Sequence, residues 1–154
     1  MNQATECALS AADAEAVQAA VDAVVGTSAD GQPTTLNVLI ERWRLTVKGM
    51  DEPYSWCAPE FHHDIRYRTI LAEVWPRLPA RVQALRQPEL DRSDEIFRQV
   101  TVPWPGRPED EDGWWTRRIP RVLEVEESEL REGDWPLGWE MMPFPKPDSV
   151  TVTC

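Results

Sequence analysis

Residues 95–104 read EIFRQVTVPW, and this stretch decides the class of the fold. Ile96, Arg98, Val100 and Val102 fall on one parity; Phe97, Gln99 and Thr101 fall on the other. Side chains of a strand alternate between its two faces, so this pattern predicts a strand rather than a helix. Upstream, the apolar residues recur at helical spacing. Downstream, IPRVLEVEE (119–127) predicts a second strand, and SVTVTC (149–154) a short third one.

The helical part begins at Ser10, a residue type that caps helices, with Asp13 placed to favour the positive end of the helix. Ala14, Val17, Val21, Val24 and Val25 then mark one face, and Gly26 offers a stop. A helix over 11–25 follows. The segment TSADGQP (27–33) reads as a loop. Thr34 or Thr35 caps a second helix carrying Leu36, Leu39, Ile40, Trp43 and Val47, ended by Gly49. A third helix is expected from Pro59 to about Trp75, stopped by Pro76, and a short one over 80–86, closed by Pro88.

The expected architecture is α+β: N-terminal helices packed with a small, mostly antiparallel C-terminal sheet and long ordered loops. Neither half alone holds enough apolar residues for its own core, so one domain over 1–154 is expected, with 1–9 and 145–154 as candidate flexible termini.

The chain has 154 residues and a formal net charge of -11. Such a surface repels a phosphate backbone, which argues against nucleic acid and suits a basic protein partner. No apolar run approaches a membrane span, and MNQATE is not the start of a signal peptide, so a cytoplasmic protein is expected. Arginine far outnumbers lysine, and alanine and proline are plentiful. That bias suits a GC-rich bacterial genome. Cys7, Cys57 and Cys154 make neither a disulfide framework nor a zinc spacing. No phosphate loop, dinucleotide fingerprint or nucleophile elbow is present, and no cofactor or metal is expected.

Two sets of residues carry possible chemistry. The run EFHHDIRYR (60–68) holds both histidines. On a continuous helix Glu60, His63 and Tyr67 share a face, while His62 and Arg66 share another. His62, His63, Asp64 and Tyr67, with Cys57 just upstream, are the candidate catalytic or small-ligand groups. Adjacent histidines on a helix point apart and do not converge on one metal ion. The blander reading of this run is a solvated helix face.

The second set is aromatic and acidic. Eight tryptophans are unusual for this length. Trp43 and Trp75 lie on helical apolar faces and read as core. Trp104, Trp114, Trp115, Trp135 and Trp139 lie among prolines, glycines and charges, and are candidate interface anchors. Glu109, Asp110, Glu111 and Asp112 form an acidic loop beside them; Glu124, Glu126, Glu127, Glu129, Glu132 and Asp134 form a looser cluster. Arg117, Arg118 and Arg121, lying between the two clusters, read as partners in local salt bridges.

The sequence therefore predicts a non-catalytic protein-binding domain of inhibitor, immunity or adaptor type, with tryptophan anchors and acidic loops facing a basic partner. The alternative is a small enzyme or ligand-binding domain built on His62 and His63. An apolar patch rimmed by carboxylates is what the first reading requires.

Overall fold

A computed structural model describes residues 9–26, 33–104 and 113–154. The loop expected at 27–32, Cys7 and the acidic residues Glu109, Asp110, Glu111 and Asp112 lie outside the described residues. The fold is α+β, with the helices first and short strands after them. The chain divides into two compact units: Met1–Arg44 with Tyr67–Ser93, and Leu45–Arg66 with Asp94–Cys154.

The first unit is helical. Helix α1 spans Ala11–Val25. The Ser10 hydroxyl accepts from the Asp13 N–H at 3.1 Å, and the Asp13 carboxylate accepts from the Ser10 N–H at 3.1 Å. This reciprocal box satisfies N–H groups that the first turn leaves without a partner, and such a cap contributes about 1 kcal/mol. At the other end Gly26, at φ 72°, donates its N–H to Asp22. Helix α2 spans Leu36–Gly49 and begins beside Thr35, whose hydroxyl accepts from the Val38 N–H. Leu36, Leu39, Ile40 and Trp43 are buried along one face.

Helix α3 spans Ala58–Asp64 and helix α4 spans Arg66–Val74. One helix was expected here from Pro59 to about Trp75. The break falls at Ile65, which is buried, and the Arg66 guanidinium takes the carbonyl of His63 at 2.7 Å. A short 3₁₀ turn, Trp75–Arg77, follows α4 through Pro76. The Trp75 indole N–H donates to Gln87, and the Gln83 amide donates to the carbonyls of Trp75 and Leu78.

Helix α5 spans Ala80–Val100 and corrects the reading of 95–104. Pro88 does not end it, and residues 95–100 are helical, not extended. Ala84 and Pro88 are both exposed. The carbonyl that loses its i+4 donor therefore faces water, the least costly place for an interior proline. Val82, Leu90, Asp94, Phe97 and Val100 are buried, at spacings of three, four or eight. Only Thr101–Pro103 is strand β1.

The second unit holds all the strands of the described residues. Strand β1 pairs antiparallel with β2, Arg118–Pro120. Strand β3, Val122–Glu124, pairs parallel with β4, Thr151–Thr153. The expected single strand over 119–127 is thus two strands in two ribbons, one antiparallel and one parallel. Arg121 is the switch: its N–H donates to Val100 at 2.9 Å, while its carbonyl accepts from the Thr151 N–H at 2.9 Å. Pro120 brings no N–H to continue the first ladder. Arg118 also closes α5, its guanidinium reaching the carbonyls of Arg98 and Thr101 and the Thr101 hydroxyl.

The core of this unit is aromatic. Tyr54, Phe61, Trp135 and Trp139 are buried together. The rings of Trp135 and Trp139 stack at 6.0 Å, and Phe61 lies 5.9 Å from Trp139. Among the described residues no helix is long and apolar enough to cross a membrane.

Candidate functional site

Most of the tryptophans singled out as anchors are structural. Trp104, Trp115, Trp135 and Trp139 are buried. The niche between Trp104, Trp135, Met142 and Phe144 has no room for a water molecule. Trp114 is half-buried, with the Arg98 guanidinium 3.8 Å above its ring and Phe97 and Trp115 at its edges. The structure also accounts for Arg118, which caps α5.

The histidine run is not gathered into a recess. His62 and His63 are exposed on α3, the His62 ring 6.2 Å from Trp104 and 5.8 Å from Phe61. Asp64 accepts a 2.7 Å hydrogen bond from the Tyr54 hydroxyl. Burial, then this bond and the charges of Asp64, Glu60 and Cys57, push the Tyr54 phenol well above its ordinary range. Tyr67 lies on α4, assigned to the first unit, so the face that a continuous helix would have shared with His63 is interrupted. Among the described residues no three metal-ligating side chains come together.

An open concavity of the second unit lies elsewhere. It is a groove of about 310 Å³. Three segments line it: Ser55–Cys57 before α3, the run from Glu124 to Glu129 after β3, and Leu137–Trp139. Trp56 is 64% exposed there and Leu137 48%. Glu124, Glu126 and Glu129 face the same space, and among the described residues its lining carries no basic side chain.

Each wall is held by backbone bonds. Tyr54 bridges to β3: its N–H donates to Val122 at 2.9 Å, and its carbonyl accepts from Glu124 at 2.8 Å. Two residues on, the Trp56 carbonyl accepts the Trp139 indole N–H at 3.2 Å. The Ala58 N–H donates to the Gly138 carbonyl at 2.8 Å. Gly138 sits at φ 92°, and a Cβ there would lie 3.2 Å from the Cβ of Cys57. Both the backbone angle and the close approach call for glycine. The Leu137 N–H donates to the Glu129 carbonyl at 3.1 Å, joining the second and third segments.

The acidic wall is ordered too. At the 3₁₀ turn Glu127–Glu129 the Glu129 carboxylate accepts the Glu126 N–H at 3.3 Å, and the Glu129 N–H donates to the Glu126 main-chain carbonyl at 2.9 Å. The Glu129 carboxylate is therefore tied to the main chain of the turn, while the Glu126 side chain is exposed. Cys57, just before α3, makes no side-chain cap bond and forms one edge of the groove.

Of the residues singled out from sequence, Cys57, Trp139, Glu124, Glu126 and Glu129 meet here; Trp104, Trp114, Trp115, Trp135, His62 and His63 are not among its lining residues. Trp56 and Leu137 were missed as site residues. The sequence carries a signal only for the looser acidic cluster. No protein-family model, no curated protein and no solved structure matches this chain.

Proposed function

We propose that the protein is a non-catalytic binding domain that docks a basic protein partner over the groove beside Trp56. The observation that carries this reading is the coincidence of an exposed tryptophan and leucine with three carboxylates in one concave surface. Interfaces are anchored by a few large side chains, tryptophan foremost. The carboxylates supply long-range attraction for a positively charged partner and disfavour an acidic one. Inhibitor, immunity and adaptor roles all work by this kind of occlusion.

The test is native mass spectrometry of the protein isolated from its own cells, run beside Trp56→Ala and Glu126→Lys/Glu129→Lys. A near-stoichiometric basic partner on the wild type, lost from both variants, is the expected result. Equal retention of the partner by both variants removes the groove from the interface and overturns the reading.

A further inference from the structure

The groove's size and chemistry narrow what enters it. Its volume of about 310 Å³ lies at the small end of the range for ligand pockets, too little for a helix or a folded edge but enough for one or two side chains. Its lining includes the exposed Trp56 together with Glu124, Glu126 and Glu129. Val125 and Leu137 add apolar surface to it. An indole face attracts an organic cation, and more strongly so when water is partly excluded. Glu124, Glu126 and Glu129 supply the opposite charge, and the bond from the Glu126 N–H holds the Glu129 carboxylate at the turn before any cation arrives. A long basic side chain matches both features at once: its methylenes lie on apolar surface and its charged head reaches the acids.

Resting on the proposed docking role, we infer that the groove is an organic-cation pocket that seats one lysine or arginine side chain of the partner, its stem against Trp56 and Leu137 and its head on Glu126 and Glu129. The backbone supports the same assignment. Trp56 is exposed although its main chain is tied down on both sides, by Trp139 at its carbonyl and by the Tyr54 and Ala58 bonds flanking it. The main chain that carries the exposed ring is thus held in place.

The assignment is tested on the full chain, ¹⁵N-labelled, at low ionic strength. It is titrated with the methylamides of Nα-acetyl-lysine and Nα-acetyl-arginine, and with that of Nα-acetyl-norleucine, which keeps the stem and lacks the charge. The two cations are expected to shift the Trp56 indole and Leu137 amide resonances saturably, and norleucine to leave them in place. Glu126→Gln/Glu129→Gln, its spectrum confirming the fold, is expected to weaken cation binding at least about threefold, and Trp56→Ala to do the same. Norleucine binding as well as lysine, or none of the three shifting Trp56, overturns the cation assignment. If the wild-type complex with the partner is still lost on Trp56→Ala, docking stands and only the cation assignment falls. If the cations bind but Trp56→Ala keeps the partner, the docking reading falls instead.

Discussion

The indole N–H of Trp139 donates to the main-chain carbonyl of Trp56 at 3.2 Å, so one of the most buried rings in the protein anchors the main chain that carries an exposed one. The pair divides the work between stability and recognition. Trp139→Phe keeps most of the buried ring but removes the donor, leaving the Trp56 carbonyl to find another partner. A loss of about 1–3 kcal/mol is expected in urea unfolding. Trp56→Ala is expected to change stability by less than about 0.5 kcal/mol while it abolishes partner binding. A large stability loss from Trp56→Ala would make that ring part of the packing rather than of the recognition surface.

Gly138 and Gly133 allow a paired test of the groove's tight corner. Both have positive φ, 92° and 74°. A Cβ on Gly133 meets nothing within 4 Å, whereas one on Gly138 meets Cys57 at 3.2 Å. Gly133→Ala is expected to cost about 1 kcal/mol from backbone strain alone. Gly138→Ala is expected to cost clearly more, because Cys57 must also move. Equal losses in denaturant unfolding would show that the Cys57 approach carries no constraint.

Tyr54 predicts an alkaline signature. Its phenol ionises at a higher pH in the folded chain than in the unfolded one, chiefly through burial. The protonated form is therefore favoured by folding. Its contribution to stability is complete below about pH 10, the unfolded value, and declines as pH rises above it. Absorbance at 295 nm is expected to show one phenol that ionises late, together with unfolding, and that disappears in Tyr54→Phe. Early, reversible ionisation of both tyrosines in the folded protein would contradict the burial of Tyr54.

Pro88 is a stabilisation target. It lies inside α5 on an exposed face, where it costs helical stability. Pro88→Ala restores a donor to the Ala84 carbonyl. A net gain of about 1–2 kcal/mol is expected, below the full helix-propensity difference of about 3 because the unfolded chain also gains freedom. Thermal unfolding measures it; no rise in Tm would mean that the helix already absorbs the proline without loss.

The elements legible in the sequence are those with local signals. Ser10, Asp13 and Gly26 mark α1 within its own few residues, and Gly49 marks the end of α2. The stretch 95–104 misled because Ile96, Arg98, Val100 and Val102 alternate by chance. The helical spacing of Leu90, Asp94, Phe97 and Val100 was also present, but Pro88 argued for stopping before it. What sequence does not contain is the direction in which Pro88 faces. An exposed proline is tolerated in a helix where a buried one is not.

The site was legible only in part, for a similar reason. Tryptophans among prolines and glycines read as exposed anchors, yet Trp104 and Trp135 are buried against the proline-rich C-terminal run, Phe144 meeting Trp104 at 6.1 Å, and Trp139 against Tyr54 and Phe61. The main chain at Trp56 is placed by the pairing of Tyr54 with β3 and by Trp139 taking the Trp56 carbonyl. Both partners are distant in sequence. The acidic wall was visible as composition, but the bond from the Glu126 N–H to the Glu129 carboxylate was not.

The central claim is that a basic partner sits over Trp56 and Leu137. A photo-reactive phenylalanine analogue placed at Leu137 tests it in the protein's own cells, with one at exposed Val38 on α2 as the control. The account predicts one dominant cross-linked protein from position 137, joined through a segment bearing lysine or arginine, suppressed by Glu126→Lys/Glu129→Lys and absent from position 38. No cross-link at 137, or the same products from both positions, would contradict it.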